Sequence, residues 1–347
     1  MGRVRHAVGT AALVLAVLLA VELAAQTLLP AGAVAVFPLA QLVAPGAWYA
    51  PVALVAAVLG VLGRSRVAVA LGLAVAFVQL ALLAACWLPT NACTWGSGSA
   101  ASGAVAVDGQ VDAVTDASAA ARELRVMSVN AYHGSADAAA IVDLARDEGV
   151  SLLCVQESSD ALYAGLVAAG IYQLFPYMVG EVGGNQLWSA LPLEDAVADA
   201  VGYSGSAMPA GTVELGGTYL RVVSVHTCSP TPGYERYWLE SLEDLAAVRE
   251  RDALATAGAA YVLLGDFNAT YAHAPFRDVL AAGFADGVRS AGEGPLATWP
   301  SLVGLPAVLG LDHVLVEQNA GVAVRDLDAV GIADTDHRAL LATLVLG

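Results

Sequence analysis

Hydrophobic positions change character part-way along the chain. Up to about residue 88 they run almost without interruption, and from Glu123 they come in short runs that end in polar residues. Residues 7–29 (AVGTAALVLAVLLAVELAAQTLL) are broken only by Glu22 and Gln26. A bilayer span takes about 20 apolar residues, so this stretch is long enough. Two more apolar stretches follow, 47–63 and 67–88, separated by the basic turn Gly63-Arg64-Ser65-Arg66. Before Trp48 the sequence VFPLAQLVAPG is apolar but interrupted by Pro38, Pro45 and Gly46, which reads as an interfacial loop or a ragged helix start. Arg3 and Arg5 would suit a signal peptide, but the two further stretches favour a multi-pass anchor of about three transmembrane helices over residues 1–88. Arg3 and Arg5 fall on the same side as Arg64 and Arg66, so the positive-inside rule puts both clusters in the cytoplasm and everything after the third span outside it. Glu22 inside a span invites a functional reading; a hydrogen-bonded structural carboxyl is the simpler one.

Residues 89–121, rich in Ala, Gly, Ser and Asp, read as a flexible linker. Over residues 122–347 the β-rich runs LRVMSVN, SLLCVQE, YLRVVSVHT, AYVLLGDFN, LDHVLVE and ALLATLVL recur. Between them lie helical patterns: ADAAAIVDLARDEG, ending at Gly149, and one long candidate, YERYWLESLEDLAAVRERDALATAG. Strands alternating with helices predict an α/β sandwich.

Charge sharpens this division. Charged residues are 14% of the chain against roughly 25% in soluble domains, which agrees with membrane content. Arg3, Arg5, Arg64 and Arg66 balance Glu22, Asp108, Asp112 and Asp116, so the whole net charge of −17 belongs to the region from Ala121 onward. An acidic domain repels nucleic-acid phosphates unless a metal or local basic site offsets the field, which argues against tight nonspecific DNA binding. Every basic residue is arginine, and with abundant Ala this suggests a GC-rich bacterial genome. Cys86, Cys93, Cys154 and Cys228 form no CxxC pair, so zinc-site spacing is absent; Cys86 and Cys93 flank the membrane exit and could bridge.

The chemistry lies in the polar residues that close the apolar runs: Asn130, Glu157, His226, Asp266 with Asn268, Asp312 with His313, and Asp336 with His337. Singly each has a plain alternative: a turn former, a helix cap, a core histidine, a solvated strand end. Together, on the ends of strands in one core, they would form a rim of carboxylates, amides and imidazoles. Oxygen ligands of that kind hold a hard cation such as Mg²⁺, with Mn²⁺ or Ca²⁺ suited to the same oxygens. An acid or histidine would then handle protons in phosphoester hydrolysis.

In order, SVNAYHG, LLCVQES, VVSVHTCSP, LLGDFNAT, GLDHVLV and DTDHRALLATL resemble the endonuclease/exonuclease/phosphatase superfamily, the fold of pancreatic deoxyribonuclease, over about residues 123–346. The resemblance implies a four-layer α/β-sandwich, two packed β-sheets flanked by helices. It implies Asn130, Glu157 and Asp336 at a metal, with Glu157 the principal ligand. His226 would contact the scissile phosphate, Asp266 would orient or deprotonate the attacking water, and Asn268 would hold the phosphate. Asp312 would pair with His337, and His337 would bind phosphate and stabilise the transition state. The chain departs from abasic-site endonucleases in carrying Tyr132 where they have an acid, and in having His226. Weaker candidates for substrate contact are Asn185, with a turn role as the alternative, and Arg236, with a surface ion pair as the alternative. His133 and His273 read as loop residues, and Trp299-Pro300 as packing near the site.

The expectation is thus a multi-pass bacterial membrane protein with an extracytoplasmic, metal-dependent phosphoester hydrolase domain. Its substrate would be a nucleic acid, a phospholipid or a small phosphoester. The alternatives are a non-catalytic binding module on the same fold and a transport role for the helices. The first predicts loss of Glu157, Asp266 or His337, and all three are present.

Overall fold

The computed structural model of the protein describes residues 2–87, 123–202, 206–292, 294–302 and 306–347. The expected linker 89–121 and the Cys93 partner of a bridge to Cys86 lie outside the described residues.

Three helices, Gly2–Leu28, Gly46–Gly63 and Arg66–Ala84, are long and apolar enough to cross a membrane. Small residues let them approach closely. A Cβ on Gly9 would stand 2.8 Å from the Gly63 carbonyl oxygen, and one on Gly72 would stand 2.8 Å from that of Ala53. Inside the bundle the Gln79 amide donates to Glu22 (3.2 Å) and Gln26 (3.1 Å), so Glu22 is a hydrogen-bonded carboxyl. The proline-broken stretch between the first two helices forms two short helices, Ala31–Val34 and Leu39–Val43. These pack on the C-terminal domain. His273 Nε2 donates to the Ala40 carbonyl (2.9 Å) while its Nδ1 accepts from Thr270 N (2.9 Å). Thr270 Oγ1 donates to Ala44 O (3.1 Å), and Arg277 donates to Gln26 O (2.7 Å). Burial pushes the His273 pKa down to about 4, which keeps the ring neutral in this role.

From Glu123 the chain forms two six-stranded sheets. The first contains β1 (Glu123–Asn130), β2 (Leu152–Gln156), β3 (Tyr177–Gly180), β4 (Gln186–Ser189), β11 (Val322–Gly331) and β12 (Arg338–Leu346), in the order β11-β12-β1-β2-β4-β3. The second contains β5 (Glu194–Val197), β6 (Ala210–Leu215), β7 (Thr218–His226), β8 (Ala260–Asp266), β9 (Phe284–Asp286) and β10 (Asp312–Glu317), in the order β5-β6-β7-β8-β10-β9. Each sheet has one parallel pair at its centre, β1 with β2 and β7 with β8, flanked by antiparallel neighbours.

The period of two along a strand decides what lies in each layer. Leu124 and Val126 of β1, Leu152 and Cys154 of β2, Leu220 and Val222 of β7, and Val262 and Leu264 of β8 fill the space between the sheets. The alternate rows face outward. Met127, Val129, Leu153 and Val155 pack under the helices Ala138–Asp147 and Asp160–Ala168. Val223, Val225 and Leu263 pack under Glu235–Ala246 and Ala274–Ala281 through Trp238, Leu242 and Phe276. The result is the expected four-layer α/β-sandwich.

The single long helix expected after Tyr234 is corrected by the structure. It ends at Ala246, and a separate turn, Val248–Arg251, follows. The break buries Val248 in the outer core and lets Asp252 meet Arg221 on the outward row of β7. Arg221 Nε and Nη2 bind the two Asp252 oxygens at 2.7 and 2.9 Å, with both side chains out of solvent.

Candidate active site

Continued to the strand ends, the inward rows turn polar. Beneath the rim, Ser128 Oγ donates to Gln156 Oε1 (3.2 Å), and Gln156 Nε2 donates across the sheets to Ser224 Oγ (3.3 Å). One step further along the same rows stand Asn130, His226, Asp266 and Asp312. The register sets His226 opposite Asp266, and Asp266 opposite Asp312. Inward Asp312 and outward His313 therefore part company. His313 is turned into the outer core, with Nδ1 2.8 Å from Asp286 and Nε2 2.9 Å from the Ala269 carbonyl.

Asn130 Nδ2 donates to Glu157 Oε1 (3.0 Å) and to Asp266 Oδ2 (2.9 Å), linking the two sheets. Glu157 lies just past β2 at φ 51°, and Asn268 at φ 46°. Such backbone is costly away from glycine and needs fixing by its surroundings. Asn185 Oδ1 accepts from Glu157 N (3.3 Å), and Asp266 Oδ1 accepts from Asn268 N (2.7 Å). Gly265 permits the close approach ahead of Asp266: its φ is 154°, and a Cβ there would meet the Val225 carbonyl oxygen at 2.0 Å.

His337 Nδ1 is 2.9 Å from Asp312 Oδ2, and its Nε2 is 3.8 Å from Asp266 Oδ2 and 4.0 Å from Asp336 Oδ1. Burial alone would lower its pKa, but the Asp312 and Asp266 carboxylates prevail and raise it to about 10. The imidazole is thus held as a cation. Burial and the Asp312 charge raise Asp266, against the pull of His337 and His226, which makes it a better proton acceptor. Glu157 goes the other way. Burial opposes ionisation, but hydrogen bonds from His226, Asn130 and the His133 backbone, with the His226 charge, bring it to about 2.

The remaining sequence candidates separate. Asn185 is buried, and its amide donates to Ser206 Oγ (2.9 Å) and Ala207 O (2.7 Å); with its hold on Glu157 N it positions rather than reaches outward. Arg236 pairs with Glu240 (2.7 Å) on an exposed helix face, and no hydrogen bond or ion pair among the described residues ties it to the rim. His133, read as a loop residue, stands at the site: its backbone N donates to Glu157 Oε2 (2.9 Å), and its ring Nδ1 is 3.1 Å from the same oxygen. Its signal was the AYHG turn, which carries Tyr132 and His133 at φ 48° and 53° ahead of Gly134 at 76°. Trp299 Nε1 donates to Asp336 Oδ2 (3.0 Å), fixing that carboxylate from the side.

The rim fits a divalent cation by its donors. Asp266, Asp312 and Asp336 bring carboxylates together around the cationic His337 imidazole, and Asn130 links Glu157 to Asp266. Asp312 Oδ1 and Asp336 Oδ1 are buried with no hydrogen-bond partner among the described residues. Buried carboxylate oxygens without a partner are costly unless positive charge is supplied. Asp266, Asp312 and His337 bring ligand atoms within 4.8 Å of one another, and there the imidazole pairs with the two carboxylates instead of offering a metal ligand.

His313 and Asp286 yield a separate prediction. Burial opposes both charges, yet the pair raises His313 above its ordinary 6.5 and lowers Asp286 below 3.8. The raised imidazole contributes stability that is complete below 6.5 and is lost as pH rises through its folded pKa. The lowered carboxylate contributes stability present above 3.8 and lost as pH falls through its folded pKa. Thermal unfolding from pH 5 to pH 9 should show the native protein losing Tm above pH 6.5 more steeply than His313→Gln. Parallel curves would contradict the pairing.

Two stacked sheets between helix layers, with an acid–amide–histidine rim at the strand ends, define a phosphoesterase fold. The model of the endonuclease/exonuclease/phosphatase family matches residues 127–337, and the chain belongs to that family. Humanized TDP2 from D. rerio is similar at 17% identity and a TM-score of 0.53, over 64% of this chain and 98% of that one. An endonuclease/exonuclease/phosphatase from Bacteroides vulgatus is similar at 17% identity and a TM-score of 0.52, over 65% and 99%. D. rerio TDP2 complexed with a single-strand DNA product gives 17% identity and a TM-score of 0.50, over 64% and 98%. At these identities the likeness concerns the fold. No curated protein matches the chain.

Proposed function

We propose that this protein is a membrane-anchored, divalent-metal-dependent phosphoester hydrolase whose catalytic domain lies outside the cytoplasmic membrane. The observation that carries the catalytic reading is the convergence at one set of strand ends of Glu157 and Asp266 joined by Asn130 (3.0 and 2.9 Å), His226 beside Glu157 (3.4 Å), and His337 held by Asp312 (2.9 Å).

Asn130, Glu157 and Asp336 would hold the cation, Mg²⁺ or Mn²⁺. When bound, it supplies Lewis-acid polarisation of a phosphoryl oxygen and offsets the negative charge of the rim. The side chains do the rest. Asp266 accepts the proton of the attacking water. Asp312 fixes His337 through Nδ1 (2.9 Å), leaving Nε2 to donate to the phosphate as charge grows on it. His226, with Nε2 3.4 Å from Glu157 and Nδ1 3.3 Å from Ser206, faces the same space and serves the leaving oxygen or the phosphate. The Asn268 amide, now shared between Thr227 O (3.0 Å) and Asp266 (3.3 Å), holds a phosphate oxygen.

The topology reading rests on where the chain is docked. The ends of the first and third helices near Gln26 and Cys86, and the short helices between the first two spans, all lie against the C-terminal domain. Arg3, Arg5, Arg64 and Arg66 fall at the other end of the bundle, where Gly9 meets Gly63. The arginines face the cytoplasm and the domain lies across the membrane from them.

Glu157→Gln tests the metal assignment. The full-length variant in detergent should need at least about 10-fold more Mg²⁺ for half-maximal hydrolysis, with an unchanged circular dichroism spectrum. An unaltered Mg²⁺ requirement would remove Glu157 from the metal shell.

A further inference from the structure

Between the helical bundle and the catalytic domain lies a cavity of about 260 Å³. Gln26, Thr27, Leu82 and Leu83, from the ends of the first and third helices, form its membrane-side wall. Trp48 and the loop before it close one side. The domain contributes Tyr271, Arg277 and Arg289, and Asp312 and His313 also line the cavity.

Its charge is the informative feature. The region from Ala121 onward carries all of the −17, and most of its arginines sit in ion pairs. Arg277 is engaged by the carbonyls of Tyr271, Ala272 and Gln26. Arg289 is different. Its guanidinium lies 4.1 Å over the Tyr271 ring and hydrogen-bonds the Cys86 thiol, while its Nε is buried with no hydrogen-bond partner among the described residues. A partly desolvated guanidinium with an unfilled donor calls for an anion. The surroundings specify which kind. Trp48 and Trp87 are exposed at this end of the bundle, as side chains at a lipid headgroup boundary are. Phe77, Val78, Leu80 and Leu82 lie exposed along the third helix below it. The cavity has room for a phosphate headgroup, with acyl chains left on that helix face. The Asp312 carboxylate, also in the lining, would repel the phosphate and favour its seat at Arg289.

We propose that this cavity binds the phosphate headgroup of an anionic membrane phospholipid against Arg289, and that the lipid ties the catalytic domain to its anchor. The cavity borders the catalytic rim at Asp312, while Arg289 is no part of that rim. It rests on the membrane reading of the three helices.

The test uses the full-length chain in nanodiscs of phosphatidylglycerol and of phosphatidylcholine, with lipid retained after transfer to detergent counted by native mass spectrometry. Phosphatidylglycerol should be retained about 5-fold over phosphatidylcholine, as one facing arginine provides. Arg289→Ala should abolish the preference, and so should Ala47→Trp, which fills the cavity and leaves the arginine in place. Inorganic phosphate should not raise Tm as phosphatidylglycerol does. Equal retention of both lipids, a preference that survives both substitutions, or equal stabilisation by inorganic phosphate would each overturn the lipid site. Failure to enter nanodiscs of either lipid would overturn the anchor reading together with it. Hydrolysis of bis-p-nitrophenyl phosphate by both variants, assayed alongside, separates these outcomes from failure of the catalytic reading.

Discussion

His337→Ala is expected to slow phosphoester hydrolysis by about 10³-fold at saturating substrate, the cost of one well-placed electrostatic donor, or about 4 kcal/mol of barrier. The native ring reaches the rim as a cation because Asp312 binds Nδ1 at 2.9 Å and Asp266 lies 3.8 Å from Nε2. Alanine removes the positive charge that meets the phosphate as negative charge grows, and it leaves the two carboxylates facing each other. The loss should fall on kcat more than on KM, because the interaction strengthens toward the transition state. Steady-state kinetics of the full-length protein would show it. A fall of less than about 10-fold would mean that His337 does no more than pack.

The second large effect is on stability. Asp252→Ala should destabilise the catalytic domain by about 3–5 kcal/mol, the usual result of stripping one partner from a buried pair. Among the described residues Arg221 would keep Asp195 O (2.6 Å) and Thr212 Oγ1 (3.3 Å) as acceptors, with its charge out of water. The Tyr261 hydroxyl, 3.4 Å from Asp252 and pushed up to about 12 by burial and by that carboxylate, would lose its acceptor. A drop in Tm on the order of 10 °C follows for a domain of this size. The double replacement Arg221→Met with Asp252→Leu should recover most of it, since the penalty lies in the unpaired charge. Calorimetry of the native protein and the two variants separates the two cases, and a double variant no better than the single one would show that packing rather than charge is responsible.

Which elements could be read from sequence follows from burial. β1, β2, β7, β8, β10 and β12 are central strands covered on both faces, and their apolar runs stand out. β3, β5 and β9 are short strands toward the sheet edges; Glu194–Val197 and Phe284–Asp286 carry too little pattern to separate from loop. β11 alternates, but a bulge between Val324 and Asp326 breaks the period. The rim was legible because its residues close the strongest strands, where period two fixes the side each one faces. The same rule sends Asp312 inward and His313 outward, so adjacent letters of one motif have different fates. Pairings across long separations left no local trace: Arg221 with Asp252, His273 with Ala40, and His133 with Glu157. Each depends on how loops and helices fold back over the sheets.

The most direct measurement is hydrolysis by the full-length protein in detergent, first in EDTA and then with excess Mg²⁺ or Mn²⁺. The substrates are bis-p-nitrophenyl phosphate, p-nitrophenyl phosphate, plasmid DNA and a phospholipid panel, with Asp266→Ala alongside. Turnover of at least one substrate is expected with metal, none with EDTA, and none from Asp266→Ala. Equal turnover with and without metal, or an Asp266→Ala variant as active as the native protein, would contradict a metal-dependent hydrolase at this rim.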